Sequence, residues 1–510
     1  MVAVTAATPG NPPGRQAGAA DVIVVGAGLA GLEVARRLAA AGGAGRILVV
    51  EAGPDAGREH YRWADEPARA DARWLDPAAD PHLWQPYRRT DAGYGGIAGL
   101  RRRLGGRSLY WGGVALPIEP WALAGSWPDS VVADLTGSWR GGPPLYESVA
   151  AQLRQWAGSP AGAAQPSHPL VGREFAEAPK AVRQADQGGR WRAYSPLDDW
   201  PDSVELACDS HAVAVQVEAG RVTGLLVERA GERQLLGAGR VVLAAGTVES
   251  SRLVLQALHQ VDGSAPVELP GLADKVAQGF MAAFDPAQAP PSVKAFAESG
   301  RLFVSRADAE LRSSVFLRCY LNEHGLLIVD CYCMGEQLPG RAGRVWCEPG
   351  AQLPWPTSVA GGLSPADEQL VLAQRRELRR IHRELCLEAG TGGAEPAFES
   401  AFGSPDLAER LGAGAAMTTA GSTATYSFPI GSEQHESGTL PLGGALLDEH
   451  ARVRAVAGLS VAGPATFPRS GAANPALTIL ALAARLAADL AEELADGAPD
   501  GSTGRGPGTC

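Results

Sequence analysis

The segment DVIVVGAGLAGLEVARRLAAAG, residues 21–42, constrains this chain of 510 residues more than any other. An apolar run at 21–25, too short for a helix, meets a glycine and gives way to an Ala/Leu-rich helical stretch at 29–41. A second apolar run at 46–50 completes a predicted β-α-β unit. Between strand and helix, Gly26, Gly28 and Gly31 form G-x-G-x-x-G, and Glu51 ends the second strand 20 residues after Gly31. Gly26 permits a tight turn, Gly28 lets the backbone approach a pyrophosphate, and Gly31 lets the helix lie close to the strand. The helix N-terminus offers unpaired N–H groups to the phosphates. Glu51 is placed to accept from a ribose hydroxyl. Together these spacings predict a dinucleotide-binding Rossmann unit.

The next matching strand comes late. RVVLAA at 240–245 is another short buried run, ended by Gly246 and followed by a predicted helix over 248–258. An ordinary nicotinamide dehydrogenase would continue its alternation sooner. Glu51-Ala52-Gly53, with a returning strand that ends Ala244-Ala245-Gly246, looks like flavoproteins whose dinucleotide domain is split by insertions, so FAD is favoured over NAD. The intervening Trp-, Gly- and Pro-rich residues are too many for a loop. Runs at 213–217 and 222–228 alternate as an antiparallel hairpin. From 273 to 430 the pattern changes: strands are predicted at 314–321 and 326–334. A charged helix is predicted from Ser364-Pro365 to about 387, with Ser as N-cap and Pro in the first turn. The fold class expected is α/β. A split Rossmann-type FAD-binding domain with a mostly parallel sheet occupies 21–272 and 431–496, with insertions over about 55–205 that partly join a second α+β substrate-binding domain at 273–430. The ends, 1–20 and 497–510, read as mobile tails.

Composition narrows the function. A net charge of −11 argues against generic nucleic-acid binding or an anionic membrane surface as partner. No apolar run is long enough to span a bilayer, and the N-terminus lacks the charged and apolar regions of a signal peptide. Seven cysteines, an odd number, do not read as a disulfide framework, so a reducing, cytoplasmic location is expected. Cys331 and Cys333 fall on one face of a strand and lack further ligands at sensible spacing, so no metal is expected. Cys208 and Cys386 read as core, and Arg101, Arg102 and Arg103 as a solvated charged turn.

Three more segments extend the pattern: RRRLGGRSLYWGG (101–113), HESGTLPLGG (435–444) and GLSVAGPATFPRSGAANPALTILALAARLAADL (458–490). With the glycine motif and VVLAAGTVESSRLVLQAL (241–258), they make the chain resemble the glucose/methanol/choline (GMC) oxidoreductases, while 273–430 shows little that matches. The resemblance implies that Gly105, Gly106 and Ser108 form a loop beside the flavin and that Ala245 and Gly246 belong to a second signature. It also implies that the backbone of Val213 meets the adenine. Trp111 stands where many members have Asn, and Gly463 where many have Asp. Tyr110 stands where covalently flavinylated members have His, so non-covalent FAD is expected. His435 matches the catalytic histidine and Asn474 its frequent partner. Asn474 with Pro475 also reads as the N-cap and first residue of a helix over 476–494.

The activity implied is oxidation of a CH–OH group to a carbonyl by hydride transfer to flavin N5. His435 would be the general base, an ordinary imidazole pKa of ~6.5 sufficing. The substrate would be a small alcohol, whether sugar, sterol-like or a secondary-metabolite intermediate, with O2, a quinone or a protein as electron acceptor. Two alternatives are a non-redox lyase that keeps FAD on the same scaffold, and a flavin-binding protein without turnover, the latter suggested by Trp111 and Gly463.

Overall fold

A computed structural model of the protein describes residues 19–43, 45–60, 80–91, 93–158, 167–184, 191–392 and 394–496. The expected tails at 1–18 and 497–510 lie outside the described residues. Ala20, assigned to the N-terminal tail from sequence, is instead buried: its N–H donates to Gly237 O at 3.0 Å and it bridges to Ala238.

The fold is α/β. Five short strands form a parallel sheet in the order Val204–Ala207, Ile47–Val50, Val22–Val25, Val241–Leu243, Leu459–Val461. Val24 lies between Val49 and Val242, and Val242 continues to Ser460. The three central strands are buried throughout, as unbroken apolar runs covered on both faces must be. From Val22–Val25 the chain moves to one side for Ile47–Val50 and later to the other for Val241–Leu243. The carboxyl end of Val22–Val25, where Gly26 begins the first helix turn, is therefore a topological switch point, the usual ligand crevice of such sheets.

Helix Leu29–Ala41 ends at Gly42 in the left-handed region, φ 76°. It packs on helix Ala476–Asp496, both contributing to one apolar cluster through residues such as Leu32, Ala35, Leu38, Leu480, Ala483 and Ala487. Residues from Ala476 to Ala487 are buried on every side of the second helix, which explains its density of alanine: a larger residue at each turn would hold its neighbours off.

A seven-stranded antiparallel sheet forms the other half, in the order Thr423–Ser427, Lys275–Phe284, Leu327–Glu336, Ser313–Leu321, Leu302–Ser305, Arg173–Glu177, Ser167–Leu170. Helix Pro365–Glu388 covers one face. It starts as the sequence predicts, in a capping box: the Ser364 hydroxyl accepts from Asp367 N at 3.3 Å and the Asp367 carboxylate accepts from Ser364 N at 2.9 Å. Period-2 alternation sorts strand Leu327–Glu336. Cys331 and Cys333 join the apolar cluster of Leu378, Ile381 and Leu385 on the helix, while Asp330, Tyr332 and Met334 line a cavity on the opposite side.

Two expectations need correction. Arg101 and Arg103 are buried, not solvated. Arg101 Nε pairs with Asp80 Oδ2 at 2.6 Å, and Arg103 Nη2 donates to the carbonyls of Ala56 and Gly57; only Arg102 is exposed. Charge runs read as surface when their partners, here a distant aspartate and two carbonyls, are out of sequence view. Cys208 is half-buried rather than core, while Cys386 is buried. The six described cysteines are free thiols. Among the described residues no helix is long and apolar enough to cross a membrane.

Candidate active site

A cavity of about 1420 Å³ joins the two sheets. This exceeds the ~300–1,000 Å³ of a pocket for one small ligand. At one end lie the carboxyl ends of the parallel strands, with Val25, Gly26, Gly28, Glu51, Ala245 and Gly246; at the other lies the open face of the antiparallel sheet.

The three motif glycines stand in three different settings. Gly26 has φ +100°, and a Cβ there would sit 2.5 Å from Ala244 O. A Cβ on Gly31 would sit 2.0 Å from Gly26 O, so helix and strand touch through it. Gly28 has an ordinary φ of −89°, and a Cβ there meets no protein atom within 4 Å. Nothing in the protein demands glycine at 28, yet the position lines the cavity; this is the cradle expected where a backbone must come close to a phosphate. Gly106 faces it, its own Cβ position lying 3.4 Å from Gly28 Cα. The residues present fit a dinucleotide.

Glu51 is built into this loop. One carboxylate oxygen accepts from Ala27 N at 2.9 Å and the other from Gly53 N at 2.8 Å. Burial pushes its pKa up to about 7, against the pull of those N–H groups and Arg102. Of the remaining flavin-site candidates, Gly106, Ser108, Trp111, Ala245, Gly246, Gly463 and Pro475 line the cavity. Ser108 Oγ bonds Gly105 O at 2.7 Å and Ser195 Oγ at 2.8 Å, and Trp111 Nε1 donates to Tyr194 O at 2.8 Å. Gly31 and Gly105 are not among the lining residues; Gly105, at φ +89°, packs against Leu109. Nor is Val213: its carbonyl accepts from Arg252 Nη1 at 2.8 Å and Gln256 Nε2 at 3.3 Å, and its neighbours Ser210, His211 and Ala212 face the cavity instead. Tyr110 lines the cavity with its hydroxyl bonded to Asp80 Oδ1 at 3.2 Å.

His435 and Asn474, 39 residues apart in sequence, line the same cavity. Both carry a buried atom with no protein partner, Nδ1 of His435 and Oδ1 of Asn474. Asn474 is therefore not the helix cap its sequence suggests. The first intrahelical bond runs from Ile479 N to Pro475 O at 2.9 Å and the helix begins at Ala476, so the amide is left free of the backbone. Unpaired buried polar atoms cost about 1–3 kcal/mol each unless a bound group satisfies them, and these two lie in one cavity. Gln434, beside His435, adds a third such atom, Nε2, and is held at φ +59°.

The His435 imidazole sits well below the usual histidine range because it is buried and because Lys275 and Arg107 bear on it. The expectation of an ordinary value does not survive: tertiary burial and two distant cations set it. Burial and the two cations favour the neutral imidazole.

Four residues that sequence reasoning passed over shape this end. Arg107 pairs with Glu436, Nη2 to Oε1 at 2.9 Å, and donates through Nη1 to Gln434 O at 2.9 Å. Glu436 also accepts from the Tyr94 hydroxyl at 3.0 Å. Arg107 and Glu436 lie inside quoted motifs, so their position was the available signal. Asp274 and Lys275, at the edge of the unmatched segment, carry no sequence signal at all.

Residues 369–483 match the family model described as GMC oxidoreductase, and residues 21–93 match one described as lycopene cyclase protein. The resemblance to the GMC oxidoreductases holds. That family binds FAD, and the resemblance, matched over residues 369–483, supports a flavin-dependent oxidoreductase. Among solved structures, pyridoxine 4-oxidase from Mesorbium loti is 17% identical with a TM-score of 0.61, covering 92% of this chain and 99% of its own. A variant formate oxidase from Aspergillus oryzae RIB40, concerned with FAD modification, is 15% identical with a TM-score of 0.61, covering 93% and 98%. A second variant of that enzyme gives 0.62 at the same identity and coverage. At such identities these GMC structures share the fold. No curated protein sequence matches at a significant level.

Proposed function

We propose that the protein oxidises an alcohol to a carbonyl compound, with His435 as general base. The unpaired His435 Nδ1 and Asn474 Oδ1 in one cavity with the dinucleotide cradle carry this reading. Bound non-covalently at the cradle, FAD would supply the hydride acceptor. The neutral imidazole takes the hydroxyl proton as the C–H bond is broken, and the Asn474 amide holds the substrate oxygen. The N-terminus of helix Ala476–Asp496 begins two residues beyond that amide, and its unpaired N–H groups and dipole, with Lys275 and Arg107, favour negative charge developing there.

The opposite wall supports an apolar alcohol over a sugar. Met281, Tyr332, Met334, Leu411, Tyr426 and Phe428 line it. Part of its polar lining is committed internally: Arg318 Nη2 bonds Asp330 Oδ2 at 3.1 Å and the Tyr426 hydroxyl bonds Asp330 Oδ1 at 2.6 Å. These groups are not available to a polyol. The division into an FAD-binding part, 21–272 with 431–496, and a substrate-binding part, 273–430, belongs to the same proposal; the pairing of Ser167–Leu170 and Arg173–Glu177 into the antiparallel sheet supports an insertion that joins the second part. So do a cytoplasmic location, with free thiols as its support, and O2 or a quinone as acceptor. Anaerobic mixing with panels of aromatic, sterol-like and sugar alcohols tests the reading: apolar alcohols should bleach the oxidised-flavin absorbance and sugars should not. Bleaching by sugars alone overturns the substrate class, and no bleaching by any alcohol overturns the activity.

A further inference from the structure

We propose that the adjacent residues Asp274 and Lys275 are the positioning device of this site, one side chain fixing the turn that carries His435 and the other the loop that leads into Asn474. The inference rests on the reading that His435 and Asn474 do the chemistry.

The two residues stand where strand Lys275–Phe284 begins. Just ahead, Ala273 is zipped to Ser437 by paired backbone bonds of 3.1 and 2.8 Å, which brings the His435 segment alongside. The Asp274 carboxylate then spans the turn: Oδ1 accepts from His435 N at 2.8 Å and Oδ2 from Gly431 N at 2.7 Å. Successive side chains of an extended chain project to opposite sides. Lys275 accordingly reaches the other loop, its Nζ donating to Gly471 O at 2.6 Å, Ser470 Oγ at 3.0 Å and Ser470 O at 3.2 Å. All three ammonium donors have an acceptor. That loop is also held by Glu336, which accepts from Gly471 N at 2.9 Å, and by Glu119, which accepts from Ala472 N at 2.9 Å. One dipeptide thus couples two segments that are distant in sequence and hold the two unpaired polar side chains.

Both side chains are buried, each residue 1% exposed. Burial raises the Asp274 pKa, helped by Glu436, and lowers that of Lys275 to about 8. An apolar pair of similar volume would avoid these costs, so stability alone does not account for the charges. What they supply is directional grip on four backbone groups and a hydroxyl, the kind of support that holds reacting groups to within about 0.5 Å.

The test uses the FAD-loaded full chain and the variants Asp274→Asn, Lys275→Met and Lys275→Arg. In Asp274→Asn and Lys275→Met the limiting rate of flavin reduction by substrate should fall ~10–100-fold, the cost of misplacement by an ångström. The substrate concentration for half-maximal rate should change by less than about threefold, and bleaching by dithionite should be unchanged. Lys275→Arg, which keeps charge and donors, should recover most of the rate. Amide exchange should quicken at 429–437 in Asp274→Asn and at 467–475 in Lys275→Met, each leaving the other segment protected. Lys275→Met should also raise the acid pKa of the reduction rate, since it removes one of the two cations bearing on His435; Arg107 and the carboxylates of Asp274, Glu433 and Glu436 remain. Wild-type reduction rates, or exchange raised throughout the protein with rate and melting temperature lost together, overturn the proposal. If Lys275→Met does not fold, the Asp274→Asn pattern decides. A His435→Ala variant at wild-type rate would instead sink the parent reading, whereas a slow His435→Ala beside fast Asp274→Asn and Lys275→Met removes this inference alone.

Discussion

Replacing His435 by Ala separates chemistry from packing because the imidazole has no protein hydrogen-bond partner at Nδ1 and the backbone N–H held by Asp274 survives the change. Removing the ring relieves a lone buried nitrogen, worth about 1–3 kcal/mol. It loses contacts of a side chain that lines a cavity, so the net effect on stability should lie well below the ~3–5 kcal/mol of emptying a packed aromatic site. The rate of flavin reduction should nonetheless fall ~10²–10⁴-fold, about 3–5 kcal/mol of barrier. The pH profile carries the sign. With its folded pKa depressed by burial, Lys275 and Arg107, His435 contributes no rise in rate above the usual histidine range, and its own limb of the wild-type profile should fall in more acid solution. Between the folded pKa and ~6.5 the unfolded chain binds a proton that the folded chain refuses, so wild-type stability drops as pH falls through that window. The Ala variant lacks this loss and should gain on wild type in melting temperature at pH 5 relative to pH 7. Stopped-flow reduction and thermal melts on the same preparations measure all three. Parallel loss of FAD, stability and rate, or an acid limb that persists in the variant, would refute the reasoning.

Gly28→Val should leave the apoprotein's melting temperature nearly unchanged, because its Cβ position is free of protein atoms, while abolishing retained yellow colour; Gly31→Ala, with 2.0 Å of clearance, should instead destabilise the protein itself. Wild-type flavin content in the valine variant would overturn the cradle. Asn474→Ala should cost less than the ~0.5–2 kcal/mol of a lost cap, since its Oδ1 bonds nothing in the protein, and Asn474→Asp should slow flavin reduction by placing a carboxylate against developing negative charge. Equal reduction rates in the Asp variant and wild type would remove Asn474 from the chemistry. Acid precipitation should release intact FAD into the supernatant, and colour kept by the pellet would refute non-covalent binding.

The β-α-β opening and its glycine spacing, the hairpin near 220 and the capped helix at Ser364 were legible in the sequence because each depends on residues within a few positions of one another: period, turn chemistry and caps are local physics. The GMC resemblance, carried by short motifs, located His435 and Asn474 as candidates for the same reason. Tertiary structure alone decided what surrounds them. Asn474 reads as a cap until the helix is seen to start at Ala476 with the amide unpaired. Arg101 and Arg103 read as solvated until Asp80 and the carbonyls of Ala56 and Gly57 close over them. The depressed pKa of His435 comes first from burial and then from Lys275 and Arg107, more than a hundred positions away in sequence, and the grip on its backbone from Asp274. Electrostatic fields and hydrogen bonds act over ångströms in space, so a sequence that points to candidate side chains leaves their charge state and placement to the fold.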